Sequence, residues 1–271
     1  MHLAIAHETV YRYASPLKRS TQYLRLSPRD DARQRVLAWE LSLPAPAGRC
    51  LDAYGNALQV LTLDQPSREI RLLAQGVVET LDGPPRPDPA DPLPPELFLR
   101  ESALTRADAA LREFADAHAA AVAAAPREGL LQLLEALAQH MPYTPGATDA
   151  ATPAAEAFAA RLGVCQDHAQ VFATCARRLG VPVRYVSGYL ATDDTHVASH
   201  AWAEARLPGP DGGWLGFDVS NRCLADGHYV KLAIGADYLD ACPVRGVRLG
   251  GGAEQLHTQV QVRASGRQQQ Q

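Results

Sequence analysis

Cys165 is the residue of this sequence best suited to covalent chemistry. It lies two residues after a glycine, at the start of a predicted helix, in the segment RLGVCQDHAQVFATCARRLG. The unpaired N–H groups at a helix start favour an anion, and hence the thiolate form of a cysteine. Gly163 is expected to leave room for a substrate backbone beside the sulfur. Cys165 is therefore a candidate nucleophile, although a buried structural thiol also fits this position.

The segment SHAWAEARL supplies a general base for such a thiol. Its composition and alternation predict a strand. Alternate positions then point to one face (His200, Trp202 and Glu204), and the alanines between them point to the other. The alanine face can pack closely on a helix, while His200 presents the imidazole that a cysteine nucleophile requires.

The segment GGWLGFDVSN places one acidic residue, Asp218, in an otherwise apolar predicted strand. A carboxylate in such a place costs free energy unless it is paired. Its predicted partner is His200 on a neighbouring strand, where Asp218 would fix the tautomer and stabilise the imidazolium. The sequence therefore predicts a catalytic triad of Cys165, His200 and Asp218.

Other histidines allow two competing interpretations. His168 follows Cys165 by three residues on the same side of the helix, so it competes for the role of base. His196 and His200, with Cys165 or Cys223, could form a zinc site. A spacing of four residues aligns ligands on a helix, however, whereas this stretch is predicted to be a loop followed by a strand. We therefore expect no metal and no other cofactor.

The pattern of residue types along the chain predicts which elements position these residues. Residues 1–80 have alternating, strand-like patterns and predict an antiparallel β domain. A proline-rich linker follows at residues 81–95. Residues 96–262 begin with alanine- and leucine-rich helices and continue with strands, which predicts an α+β domain that includes the C-terminal strand. Residues 263–271 are expected to form a frayed tail.

Composition excludes several classes of protein. The chain has 271 residues, 46% of them hydrophobic and 21% charged, which is typical of a globular protein. A net charge of -4 argues against nucleic-acid binding. The sequence lacks an apolar run long enough to cross a bilayer and a recognisable signal peptide, and its five cysteines are scattered. We therefore expect free thiols, no membrane partner and a cytoplasmic location.

Several separated motifs give the sequence a family resemblance. GVCQDHA, YVSGYL, SHAWAEA and WLGFDVSN, in that order, closely resemble the bacterial transglutaminase-like family, a branch of the papain-like superfamily. RLSPR and DAYGN resemble its N-terminal β region, and DYLDACPVRGVRLGGG resembles its C-terminal extension. The resemblance implies a transglutaminase-core domain, with helices packed on an antiparallel sheet, preceded by a small antiparallel β domain.

The same resemblance implies acyl transfer. Cys165 matches the nucleophile, His200 the base and Asp218 the residue that orients the base. The nucleophile would attack a carboxamide or peptide carbonyl and form a thioester, which water or an amine then resolves. The expected substrate is therefore a peptide, a protein or another amide, and the enzyme would act as a protease, an amidase or a transglutaminase.

Three further residues are candidates for contacts with the substrate or the oxyanion: Tyr143, Gln166 and Trp202. The backbone N–H of Cys165 is the first expected oxyanion donor. Tyr143 is the expected second donor because of its position in the family's fold. The alternative function is a catalytically idle papain-like domain that only binds. The intact triad argues against it.

Overall fold

The N-terminal part of the protein is a sheet built around one long strand. A computed structural model describes residues 1–88, 93–192, 199–209 and 212–265. The first five strands are β1 (His2–Leu24), β2 (Gln34–Ser42), β3 (Ala47–Leu51), β4 (Ala57–Leu63) and β5 (Ser67–Thr80). β4 and β5 run antiparallel to β1 along the same edge, and β3 and β2 pair with their outer edges. The predicted N-terminal antiparallel β region is confirmed.

The proline-rich linker is tied to the core. Asp88 and Trp214 exchange two backbone hydrogen bonds, each with an N···O distance of 2.8 Å. After the linker, a short 3-10 helix (Pro95–Leu99) buries Phe98 edge-on against the Trp214 ring, with centroids 5.1 Å apart. Residues 89–92 lie outside the described part of the chain. The linker is therefore attached to the core at Asp88, and the chain that continues from it is attached at Phe98.

A layer of five helices follows. They are α1 (Ala109–Asp116), α2 (Ala119–Ala124), α3 (Pro126–His140), α4 (Ala154–Ala160) and α5 (Cys165–Arg178). The helix predicted to begin at Cys165 is α5, and Gly180, with φ +80°, lies just beyond its end. Val171, Phe172 and Cys175 on α5 pack into one buried core with the leucines of α3. No helix within the described residues is long and apolar enough to cross a membrane.

The helices pack on a second antiparallel sheet. Its strands are β6 (Val183–Leu190), β7 (His200–Leu207), β8 (Gly213–Asp218), β9 (Cys223–Leu224) and β10 (Tyr229–Gly235). They are ordered β10-β6-β7-β8-β9, and a short helix, α6 (Tyr238–Ala241), follows β10. Sequence patterns alone did not predict β9 and β10. The arrangement confirms the predicted α+β class, with helices packed on an antiparallel sheet.

The two faces of β7 are used as the sequence predicts. Ala203 and Ala205 are fully buried in the same core as Phe172 and Cys175 of α5. Because alanine has only a methyl group, the helix can approach the strand closely. Trp202 lies in a separate buried cluster on the opposite face. Because side chains alternate along β7, His200 lies on the same face as Trp202, and this determines how it can reach the end of the sheet near Cys165.

The last two strands, β11 (Val244–Gly250) and β12 (Glu254–Ser265), require a correction. We expected the final strand to belong to the core domain at residues 96–262, but both strands pair with β1. They cover the edge of β1 that β4 and β5 leave open, so its backbone groups gain partners. The tail predicted to fray from residue 263 is still in β12 as far as Ser265, and residues 266–271 lie outside the described chain.

The two sheets share a buried contact. Leu3, Ile5 and Val78 from the N-terminal sheet, with Val260 and Val262 from β12, pack against Tyr189, Val230 and Leu232 of the core. Burial of this apolar surface favours association of the two sheets. The N-terminal sheet is therefore packed on the side of the core formed by β6 and β10.

Replacing Ala203 with leucine should destabilise the protein by about 1–3 kcal/mol, because no space exists between β7 and α5 for a larger side chain. The free energy of unfolding in urea, followed by circular dichroism, measures the effect. The matched control is Ala110→Leu on the exposed surface of α1, which should change stability by less than about 0.5 kcal/mol. Equal stability of the two variants would contradict the close packing of α5 on β7.

Candidate active site

The first turn of α5 carries Cys165 at its start, where the residue is half-buried. The carboxylate of Asp167 folds back over this turn. It accepts hydrogen bonds from the Val164 N–H at 2.8 Å and from the Thr148 hydroxyl at 2.6 Å. These bonds hold the chain immediately before the cysteine and leave its thiol at the helix start.

Gly163 has a different role from the one expected. We predicted that it leaves room for a substrate backbone, whereas the space beside it is filled by Asp167. A Cβ at Gly163 would lie 2.7 Å from the Cβ of Asp167. The carbonyl of Gly163 also accepts a hydrogen bond from the Thr144 N–H at 2.7 Å. Gly163 therefore lets the chain pass close to Asp167 as it enters α5.

The structure brings His200, Asp218 and Cys165 together. Ala203 of β7 faces Phe217 of β8, and side chains alternate along each strand, so His200 and Asp218 lie on the same face. Nε2 of His200 is 2.6 Å from Oδ2 of Asp218. Cys165 lies close enough to His200 to help raise the pKa of its ring. Because Asp218 engages Nε2, Nδ1 is the ring nitrogen left for the sulfur.

The contacts of this pair determine its charge. Burial disfavours an imidazolium, but the hydrogen bond with Asp218, the negative charge of Asp218 and the nearby Cys165 outweigh it and raise the pKa of His200 to about 10. Burial also acts to raise the pKa of Asp218, yet His200, Asn221 and Tyr229 together hold that pKa below its ordinary value. Both partners are therefore charged at neutral pH, which places a positive charge on the ring next to Cys165.

Sequence reasoning missed two residues that bind Asp218. The Asn221 amide donates to Oδ2 at 2.6 Å, and the Tyr229 hydroxyl donates to the same oxygen at 2.7 Å. Asn221 follows Asp218 by three residues, a spacing at which an aspartate commonly binds a turn, so its role had a local signal. Tyr229 lies on β10, which is not a neighbour of β8 in the sheet, so no local pattern pointed to it.

Trp202, a candidate for substrate contact, lies beneath the histidine. Its side chain is 2% exposed, and its ring stacks on His200 with centroids 6.3 Å apart. The Tyr229 ring meets it edge-on at 5.2 Å. A Cβ at Gly188 would lie 2.6 Å from the Trp202 ring, so this glycine makes the space that the ring fills. The buried position favours a role in holding and shielding the ion pair.

Tyr143 and Gln166 lie on the open side of the site. The Tyr143 side chain is 54% exposed, and its ring meets that of His168 at 6.1 Å. Burial raises the pKa of Tyr143, and the negative charge of Cys165 contributes to the same shift. Gln166 is half-exposed, and its amide donates to the Asp149 carbonyl at 3.2 Å. Tyr143 thus lies next to the entry of α5, where its backbone pairs with that of Gly163, whereas the Gln166 amide is engaged by the neighbouring loop.

His168 is fully engaged by other groups. Its Nδ1 lies 2.8 Å from the Ser220 hydroxyl, and its Nε2 lies 2.9 Å from the Met141 carbonyl. Since a carbonyl only accepts, Nε2 carries the proton and Nδ1 accepts from Ser220. Burial lowers the pKa of His168, so the ring is neutral. His168 therefore ties α5 to two loops at the site, and its ring nitrogens are already occupied.

The zinc interpretation rests partly on His196, which lies outside the described residues. Within the part of the chain that the structure describes, no group of three or more histidine, cysteine, aspartate or glutamate side chains is arranged to hold a metal ion. The contacts of His200 include Asp218, Asn221 and the ring of Trp202.

Family models match both parts of the chain. Residues 3–79 match the bacterial transglutaminase-like N-terminal region. Residues 115–219 match the transglutaminase-like superfamily, and this range includes Cys165, His200 and Asp218. The N-terminal match falls on the sheet around β1, and the second match falls on the helices and strands that carry the site.

Similar proteins extend over nearly the whole chain. An uncharacterized protein of Mycobacterium tuberculosis is 34% identical over 90% of this chain and 86% of its own length. An uncharacterized protein of Mycobacterium leprae is 29% identical over 96% of this chain and 98% of its own length. The crystal structure of a proposed cysteine protease from Cytophaga hutchinsonii has a TM-score of 0.70 and 20% identity, and covers 97% of this chain and 90% of that one. This last likeness shows the fold.

We expect His200 to remain protonated at about pH 8, because its folded-state pKa is about 10. The stability that the charged ring contributes should be fully present below its unfolded pKa of about 6.5 and lost as the pH rises through about 10. Asp218→Asn should lower the pKa of His200, because the amide supplies no negative charge. Nuclear magnetic resonance of labelled imidazoles measures both titrations.

The matched control for this titration is Asp226→Asn. Asp226 binds the exposed His228 at 2.9 Å, so its loss removes a histidine–carboxylate contact away from Cys165. It should leave the titration of His200 unchanged. A His200 ring that loses its proton below about pH 7 in the unaltered protein would contradict the charged pair.

Proposed function

Because the chain belongs to the bacterial transglutaminase-like family, whose catalysis is cysteine-based, we propose that it transfers the acyl group of a carboxamide or peptide bond through a thioester on Cys165. The observation that carries this proposal is the buried hydrogen bond between His200 and Asp218, with Cys165 at the start of α5 beside the ring. A thiolate at a helix start beside a charged imidazole is the arrangement that such chemistry requires.

The first half-reaction forms a carbon–sulfur bond and breaks the carbon–nitrogen bond of the substrate. The Cys165 thiolate adds to the carbonyl carbon, and the electron pair of the carbonyl moves to its oxygen. As this tetrahedral intermediate collapses, the departing amine takes its proton from the His200 imidazolium. The products are a free amine, a thioester on Cys165 and a neutral His200.

The second half-reaction regenerates the site. Water or a second amine attacks the thioester while His200 accepts its proton. The carbon–sulfur bond then breaks and the thiolate leaves, so the thiolate–imidazolium pair forms again. Water yields a carboxylic acid, and an amine yields a new amide. Asp218 holds the ring in one orientation and stabilises its charged form through both steps.

The oxyanion of the intermediate needs donors close to Cys165. N–H groups in the first turn of a helix lack intrahelical partners, so the N–H of Cys165 is the proposed first donor. Tyr143 is the proposed second donor, because its exposed ring borders the thiol and packs on His168. Both donors lie on the side of the site that is open to a peptide or another amide.

A catalytically idle binding domain is the alternative function. Burying Asp218 and a charged His200 costs free energy, which several hydrogen bonds must offset. A surface used only for binding gains nothing from a charged histidine aimed at a cysteine. The retained pair therefore favours catalysis.

Cys165→Ala should abolish turnover, because no other group can form the thioester. His200→Ala should lower kcat by about a thousandfold or more, since it removes the proton carrier and the partner of the thiolate. Asp218→Asn should be milder, because the amide can still hold the ring by a hydrogen bond. The double variant of Cys165 and His200 should be little worse than either single one. Release of amine from one amide donor measures all four.

The control variant is Cys50→Ala, which removes an exposed thiol of the N-terminal sheet and should leave turnover unchanged. Circular dichroism should show that every variant is folded. In the unaltered protein, iodoacetamide should alkylate Cys165 faster than Cys50 at neutral pH. Near-normal turnover and Cys165 reactivity in His200→Ala would overturn the proposed mechanism.

A further inference from the structure

Two side-chain amides of the N-terminal sheet cover the free edge of β10. Asn56 donates from Nδ2 to the Ile234 carbonyl at 2.7 Å and accepts from the Ile234 N–H at 2.9 Å. Gln34 makes the same pair of bonds with Lys231, at 2.9 Å and 2.7 Å. Each amide therefore takes the place of a residue in a neighbouring strand. The N-terminal sheet is fixed to the core strand that leads into α6.

Asn56 belongs to a rigid turn. Oδ1 of Asp52 accepts hydrogen bonds from the N–H groups of Tyr54 and Asn56, both at 2.9 Å. Oδ2 of Asp52 pairs with Arg25 at 2.6 Å. Gly55 has φ +74°, a conformation that favours glycine. The turn therefore presents Tyr54 in a fixed orientation.

Tyr54 holds the segment that contains α6. Its hydroxyl donates to Oδ2 of Asp240 at 2.7 Å, and the same oxygen accepts the Ala236 N–H at 3.2 Å. The Tyr54 ring packs on Phe98, with centroids 5.9 Å apart. A hydroxyl bond to a carboxylate is stronger than a bond between neutral groups. This contact restrains α6 from the side of the Tyr54 turn, in addition to the pairing of β11 with β1 just after the helix.

The α6 segment forms a side of the site at Cys165. Tyr238 and Cys165 are both half-buried, and both pack against one buried cluster, made of Ala169, Tyr185, Ala201, Ala233 and Ala241. The Tyr238 ring meets the Tyr185 ring edge-on at 6.1 Å, and the Cys242 thiol donates to its hydroxyl at 3.3 Å. These contacts hold the Tyr238 ring against the same buried cluster on which Cys165 packs.

A second tyrosine borders Cys165 from another direction. The Tyr143 ring contacts His168, whereas Tyr238 packs on the cluster that contains Ala169. The two tyrosines therefore pack on different neighbours of Cys165, Tyr143 on the ring of His168 and Tyr238 on the buried cluster. The accessible parts of the two rings offer apolar surface, from which an apolar side chain displaces water favourably.

We propose that Tyr238 contacts the substrate, and that the N-terminal sheet positions it through the hydrogen bond between Tyr54 and Asp240. The acyl donor recognised is one with an aromatic or large apolar side chain next to the reacting carbonyl. This inference rests on the proposed function of Cys165. It gives the N-terminal sheet a part in recognition: Tyr54 is a positioning residue, and Tyr238 is a specificity residue.

Two alkylating reagents test the inference without needing turnover. The first is a dipeptide chloromethyl ketone ending in phenylalanine, which places a ring beside the reactive carbonyl. The second is iodoacetamide, which is too small to contact Tyr238 while it reacts with Cys165. In each case the Cys165 sulfur displaces the halide. Mass spectrometry over a range of concentrations gives the apparent affinity and the maximal labelling rate.

We expect Tyr54→Phe and Tyr238→Ala to weaken the apparent affinity for the peptide reagent by about three- to tenfold, as loss of one such contact would. Labelling by iodoacetamide should stay within about twofold, because the thiol and His200 are unchanged. A reagent ending in glycine should bind the unaltered protein less tightly than the phenylalanine reagent. Tyr238→Ala should remove that preference.

The matched control is Tyr189→Phe. The Tyr189 hydroxyl bonds to Nδ1 of His7 at 2.9 Å, so this variant also loses one tyrosine hydrogen bond between the two sheets. It should leave both labelling reactions unchanged. Asp240→Ala should also weaken the apparent affinity for the peptide reagent. Asp240→Asn keeps an acceptor for Tyr54, so it should lose much less of that affinity. Adding Tyr54→Phe to Asp240→Ala should cause little further loss.

Equal losses in Tyr54→Phe and Tyr189→Phe would overturn the inference, because they would show general destabilisation. Unchanged peptide labelling in Tyr238→Ala would also overturn it, and so would a reagent ending in glycine that binds as well as the one ending in phenylalanine. If Cys165 reacts with iodoacetamide no faster than Cys50, the proposed function falls and this inference falls with it. If iodoacetamide labels Cys165 rapidly but labelling by the peptide reagent does not change in the Tyr54 and Tyr238 variants, only this inference fails.

Discussion

The candidate site depends on one buried ion pair, that of His200 and Asp218. A single carboxylate oxygen of Asp218 accepts from His200 at 2.6 Å, Asn221 at 2.6 Å and Tyr229 at 2.7 Å. Moving a carboxylate out of water is costly, and these donors offset the cost. They come from β7, from the turn after β8 and from β10. The charge on His200 therefore requires the assembled sheet.

The same face of β7 carries a second buried charge, Glu204. Burial opposes its ionisation, but Arg184 and Lys231 lower its pKa to about 2. Lys231 lies 2.9 Å from Glu204 and 3.1 Å from Asp31 of the N-terminal region. Polar contacts thus connect the N-terminal sheet to this face of the core, while the alanine face of β7 receives α5. Small and large side chains alternate along β7, so one face of the strand packs on α5 and the other face makes the polar contacts.

Much of the site could be predicted because its rules are local. A cysteine at a helix start, a histidine on an alternating strand and a lone aspartate in an apolar strand each have a signal within about ten residues of sequence. The expected role of Gly163 was wrong, because a glycine before a helix can leave room for a substrate or for another side chain in a crowded turn. Its neighbour proved to be Asp167, and only coordinates show which group fills the space.

The sequence by itself determined the α+β class, the N-terminal β region and the residue types of the site, because side-chain periodicity and helix-end chemistry depend on neighbours along the chain. Only the tertiary structure decided that β12 joins β1, that Tyr229 binds Asp218 and that Tyr54 reaches Asp240. Strand pairing and long-range hydrogen bonds depend on which edges and buried groups remain unpaired after the whole chain has folded.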